Sequence, residues 1–255
     1  MNDSYPRNPQ ANQLFRQATE LKKAGNLDGA IDALIAAEQA IHAGDVEYSI
    51  NFWVRLPMYL QAAGRGAEAI DYLQQLLARY PHDWTAPPPR DRFGKLSARL
   101  ANSRGTIYDK VHLVYLRDKQ PLAALPYAVL GWTYGERAFS HMLRFLQEKW
   151  KRENKSNAEL QELVAAEKRG PVKQLSEDQL DWLTYQHLSR YINPDANPKD
   201  LLTTLLKNFR VLLRKAKQLD HLDSLETYLT DLIRDTAKSD EQILAEVKHL
   251  MVVEP

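Results

Sequence analysis

Apolar residues recur every three to four positions along most of this chain, the spacing that places them on one face of an α-helix. Leu14, Phe15, Ala18 and Leu21 make one stripe, and Gly25-Asn26 supplies a stop. Leu27, Ala30, Ile31, Leu34, Ala37 and Ile41 make a second, ended by Gly44. So short a connection permits only an antiparallel hairpin. The arrangement recurs over Ile50–Ala63, Gly64-Arg65-Gly66 and Ala67–Tyr80, closed by Pro81. Pro57 falls inside the third stripe and predicts a kink or break there, because it has no N–H to donate.

Beyond the second pair, Pro87, Pro88 and Pro89 forbid helix continuation and mark a boundary. The pattern therefore divides the chain into hairpins over 1–83, a Pro-rich linker over 84–92 and a helical region over 93–255. Phe93, Leu96, Leu100, Ile107, Val111, Val114 and Tyr115 fit one long helix or two broken near Gly105; the alternation in 111–116 also fits a strand, and helix is preferred. Residues 121–153 read as a short and a longer helix punctuated by Pro126, Gly131 and Gly135. Ser156 with Glu159, Ser176 with Gln179 and Ser239 with Gln242 have capping-box spacing, and Asn197-Pro198 is a further helix start. Leu202, Leu205, Leu206, Phe209, Leu212, Leu213, Ala216 and Leu219 form a continuous face. Its partner carries Leu222, Leu225, Leu229, Leu232 and Ile233, which completes another hairpin. The fold class expected is all-α.

The two N-terminal hairpins resemble the tetratricopeptide repeat, a unit of ~34 residues with a Trp, a Leu, small residues where its helices cross and a closing Pro. Trp53, Leu56, Leu60, Gly64, Ala69, Leu73 and Pro81 match that pattern in the second unit, and Leu14, Ala18, Leu21, Gly25, Ala30, Leu34 and Ala37 are similar in the first. Gly25 and Gly64 stand 39 positions apart, so the first unit carries an insertion near 42–46. The likeness spans roughly residues 10–81. It implies a protein or peptide partner lying in a groove lined by the first helix of each hairpin, which here implicates Asn12, Phe15, Thr19, Lys22, Asn51, Val54, Met58 and Gln61. The expected role is a non-catalytic adaptor or scaffold. The alternative for these residues is burial against the C-terminal part.

Charge adds one competing possibility. Residues 1–90 hold 8 Lys/Arg against 10 Asp/Glu, residues 91–155 hold 13 against 6, and residues 156–255 hold 13 against 17. Arg92, Lys95, Arg99, Arg104 and Lys110 cluster in the basic middle with Phe93 and Tyr108 interleaved, a composition suited to phosphates and stacked bases. Nucleic-acid binding is thus the alternative function.

Other chemistry leaves little trace. Cysteine is absent, which removes disulfides, thiolate metal sites and a thiol nucleophile. Gly94-Lys95 is followed by Leu96 and has Pro89 where the first glycine of the motif would sit, so it is not a phosphate loop. None of the seven histidines has another His four positions away, so no helix-borne metal site is expected. Asp220, His221 and Asp223 read as solvated turn residues, Glu177, Asp178 and Asp181 as first-turn acids, and Trp132 and Tyr134 as core aromatics. No catalytic motif, cofactor or metal is expected. Without an apolar leader or a span of ~18 apolar residues, the expected location is the cytoplasm.

Overall fold

The computed structural model describes residues 8–44, 48–80, 93–152, 209–234 and 238–252. Among these residues the protein is all-α, with no strand. Helices α1 (Pro9–Lys23) and α2 (Leu27–His42) form the first hairpin. Asn8 caps α1 by accepting from the Ala11 N–H, and Asn26 caps α2 by accepting from the Gly29 N–H. Gly25 and Gly64 hold φ of +80° and +78° at the two hairpin bends, where a side chain would be strained.

The second hairpin contains the break expected from Pro57. Helix α3 (Ile50–Trp53) ends at Val54, and α4 (Arg55–Ala62) begins immediately after. The residue four before Pro57 is Trp53, whose carbonyl loses its helical donor, and the chain divides at that point. Helix α5 (Gly66–Ala78) then returns along α4.

Helix α6 (Phe93–Arg117) is continuous through 111–116, so the strand alternative is excluded. Helix α7 (Pro121–Arg152) is a single rod, not a short and a longer one. Pro126 lies inside it, where the Leu122 carbonyl loses its helical donor without ending the rod, and Gly131 serves packing, not termination. A Cβ built on Gly131 would stand 3.2 Å from the Asp109 backbone nitrogen, and one on Gly105 would stand 3.2 Å from the Gly131 oxygen. The two rods therefore cross nearly backbone to backbone.

Each helix packs on its neighbours in chain order: α1 on α2, α2 on α4, α4 on α5, α5 on α6 and α6 on α7. Ala18, Ala30, Ala37 and Ala69, all fully buried, make the seams of the first two hairpins. Their core continues into α6 through Ile107, Val111 and Val114, so packing is unbroken from the N-terminal hairpins into the helical region. The segment 84–92 lies outside the described residues.

The C-terminal helices build a second core on α6 and α7. Residues 209–216 form α8, a 3-10 turn spans Leu219–His221, and α9 (Leu222–Arg234) and α10 (Asp240–Leu250) follow. Phe209, Leu213, Leu225, Leu229, Ile243 and Val247 meet Leu125, Leu130 and Tyr134 there. Leu219, expected on the apolar face of α8, is 41% exposed because the 3-10 turn carries it off that face. The capping box at the start of α10 is present in both directions between Ser239 and Gln242. The starts expected at Ser156, Ser176 and Asn197-Pro198, the acids Glu177, Asp178 and Asp181, and positions 202–206 of the apolar face lie outside the described residues. No helix among the described residues is long and apolar enough to cross a membrane.

Candidate functional site

Helices α1, α4 and α6 lie side by side, and the eight groove residues expected from the sequence divide on α1, α3 and α4. Phe15 and Val54 are buried in the core. Phe15 packs its ring against Tyr48 and Phe52, at centroid distances of 5.9 and 4.9 Å. Asn12 is half-buried and accepts from the Tyr48 hydroxyl, while Asn51 is exposed. Thr19 donates to the Phe15 carbonyl and accepts from the Arg55 guanidinium at 2.7 Å. Lys22 sits with its ammonium 4.2 Å from the Tyr59 ring centre. Met58 and Gln61 meet the end of α6, where Arg117 donates to Gln61 at 3.0 Å.

The structure adds Arg55, Tyr59 and Arg117 to this face, which a continuous helical period through residues 50–62 does not select. The break at Val54 resets the phase: Val54 turns inward, and Arg55, four positions before Tyr59, turns toward α1. The result is a row of cations, Lys22, Arg55 and Arg117, spread over three neighbouring helices. Two of them are braced by aromatic rings, since Arg55 also lies 5.2 Å from the centre of Phe15.

A different surface carries a cleft. Between α2 and α5, with Leu56 and Leu60 of α4 as its floor, a cavity of about 420 Å³ is lined by Ile35, Glu38, Arg65, Glu68, Asp71, Tyr72 and Gln75. Arg65 donates to both carboxylate oxygens of Glu68, from Nε at 2.7 Å and from Nη2 at 2.5 Å. The Tyr72 hydroxyl donates to Glu38. Burial holds the Glu38 carboxyl above the usual carboxylate range, against the opposing pull of the Tyr72 hydrogen bond and of Arg79.

The residues expected to bind nucleic acid are distributed differently. Arg92 and the side chains of Lys95 and Arg99 lie outside the described residues, although the backbone of 93–99 belongs to α6. Lys110 pairs with Asp109 at 2.8 Å. Arg104 commits all five of its N–H donors inside the protein. Nε donates to the Tyr134 hydroxyl at 2.9 Å, Nη1 to the Leu77 and Tyr80 carbonyls at 3.2 and 2.8 Å, and Nη2 to the Tyr108 hydroxyl and to Asp240.

Asp240 is the acceptor at the centre of this cluster. It takes hydrogen bonds from Arg104, Tyr108 and Tyr134, and its side chain is 10% exposed against 13% for Arg104. Burial, reinforced by the neighbouring carboxylate, holds the Tyr108 phenol far above its ordinary range. Two neutral phenols, a permanent cation and a carboxylate thus satisfy one another, and the ring of Tyr108 is enclosed, not open for base stacking. The arrangement joins α5, α6, α7 and α10.

His221, expected in a solvated turn, is buried at the 3-10 segment, whereas Asp220 and Asp223 are exposed. No group of three or more His, Asp or Glu able to hold a metal ion occurs among the described residues. Tyr134 is fully buried, as a core aromatic should be, and Trp132 is half-buried. No protein-family model, no curated protein and no solved structure matches this chain.

Proposed function

We propose that this protein is a tetratricopeptide-like scaffold without catalytic activity that binds an acidic segment of a partner protein across α1, α4 and α6. The observation that supports this reading is the row of Lys22, Arg55 and Arg117 on three adjacent helices. A cation seated over an aromatic face loses less freedom when it pairs with a carboxylate than a freely rotating one, because part of its ordering is already complete. Carboxylates along an extended segment would meet successive cations, with the half-buried Met58 offering apolar contact between them. Arg104, one of the five cations of the nucleic-acid alternative, is engaged internally, and Lys110 pairs with its neighbour Asp109.

The test uses substitutions outside the core. Phe15→Glu would disrupt folding because that ring is buried, so Lys22→Glu and Arg117→Glu are the informative changes. The protein is isolated with its companions from its native cell, and these are identified by mass spectrometry. The double variant, with unchanged circular dichroism, is expected to lose a reproducible protein companion with acidic segments by tenfold or more. Unchanged recovery of that companion would refute the reading, and a preparation containing nucleic acid alone would replace it with the alternative.

A further inference from the structure

The cleft between α2 and α5 has the opposite electrical character from the row of cations, and the residues that line it define what fits. Its lining holds three carboxylates, Glu38, Glu68 and Asp71, against one guanidinium, Arg65, already paired with Glu68. Asp28 and Asp32 of α2 add to the negative field felt by Arg65. The base is apolar: Leu56 and Leu60 are buried, while Ile35 stands at the rim 40% exposed, one of the few large aliphatic side chains so open to water among the described residues. A closed hydrophobic floor ringed by acids suits an apolar side chain flanked by cations.

Length follows from the helix. Glu68, Asp71 and Gln75 lie on one face of α5 across seven positions, a run of about 10 Å at 1.5 Å per residue. An extended peptide covers that distance in roughly three to four residues. The volume of about 420 Å³ accommodates one aliphatic side chain with its neighbouring backbone.

We propose that the α2–α5 cleft is a second docking site, one that takes a short basic segment of a partner protein, with an aliphatic residue seated over Leu56 and Leu60 and its flanking Lys or Arg side chains on Glu38, Glu68 and Asp71. The site is separate from the face formed by α1, α4 and α6 and does not depend on it. Joining two partners of opposite charge is the consequence only where the proposed function of the α1, α4 and α6 face also holds, and the cleft is tested without it.

The probe is a fluorescein-labelled peptide with the core Arg-Leu-Arg-Lys, followed by fluorescence anisotropy against the full chain, with Glu-Leu-Glu-Glu in the same frame as control. The basic probe is expected to bind at low salt, to weaken several-fold between 50 and 200 mM salt, and to lose about tenfold or more in affinity on combined Glu38→Gln, Glu68→Gln and Asp71→Asn. Ile35→Lys, which places a cation at the rim, is expected to abolish binding while Lys22→Glu leaves it unchanged. Because Ile35, Glu68 and Asp71 are exposed, a single Glu68→Gln or Asp71→Asn variant preserves the fold and keeps the test decisive if the triple variant is unstable. Three results overturn the proposal: no binding at low salt, equal binding by the acidic control, or affinity unaffected by the cleft variants. Concentration-dependent self-association that competes with the probe would assign the cleft to a second copy of the chain and overturn it as well.

Discussion

The seams of the first two hairpins and the junction around Arg104 solve the same problem, bringing helices into contact, by opposite means. At the first, the fully buried Ala18, Ala30, Ala37 and Ala69 let neighbouring rods approach closely. At the second, one guanidinium, one carboxylate and two phenols are enclosed together. The alanine seam joins elements adjacent in sequence. The polar junction joins positions 136 apart, and requires directional bonds to choose one arrangement among many apolar ones. Small residues thus set how closely helices pack, and the buried polar group sets which remote helix is admitted.

The largest effect is expected from breaking the junction on one side only. Asp240→Ala leaves a buried cation and two hydroxyls without their acceptor and should cost about 3–5 kcal/mol in denaturant unfolding. Arg104→Met combined with Asp240→Leu should be less damaging than the sum of the single changes, since no unpaired charge remains. Additive losses would mean that the pair does not interact as described.

The α6–α7 crossing lies between the two extremes, a close approach beside the polar junction. Gly105→Ala places a methyl 3.1 Å from the Tyr134 Cβ and 3.2 Å from the Gly131 oxygen, and should cost roughly 1–3 kcal/mol. Gly135→Ala, on α7, adds a methyl that meets no neighbouring element within 4 Å, and should stabilise by about 0.5–1 kcal/mol. Similar midpoints for the two variants would refute the crossing geometry.

Much of this organisation is legible in the primary structure because it is local. The hairpins follow from periodicity and from Gly25 and Gly64, and the capping box from Ser239 and Gln242. Removing the Ser239 hydroxyl as Ser239→Ala should cost about 1 kcal/mol, measured by the same unfolding experiment. What periodicity misreads is a residue whose reason lies elsewhere in the fold. Gly131 looks like a stop but is a contact point, and Asp240 looks like an ordinary first-turn acid because its partners are far away in sequence. Of the face on α1, α4 and α6, Lys22, Met58 and Gln61 were legible, whereas Phe15 and Val54 lie in the core and Arg55 was hidden by the phase change at Val54.

The smallest expected effect concerns pH at the α2–α5 cleft. Glu38 has its carboxyl pKa raised in the folded state by burial, so the folded protein binds a proton more readily than the unfolded chain. Its contribution is fully present below the unfolded value of about 4.5 and is lost as pH rises through the folded value. Glu38→Gln, which cannot ionise, should therefore gain stability relative to the parent as pH rises through that window, followed by urea unfolding at a series of pH values. A constant difference across the series would show that the carboxylate is as well solvated in the cleft as in water.

The reach of the Arg104–Asp240 pair also orders events while the chain is being made. The two hairpins and α6, which completes their core, are all made early, but the guanidinium on α6 has no carboxylate to meet until well over a hundred further residues have been translated. Nascent chains halted ahead of Asp240 should accordingly carry native-like N-terminal hairpins while the region around Tyr108 and Tyr134 stays open to proteases.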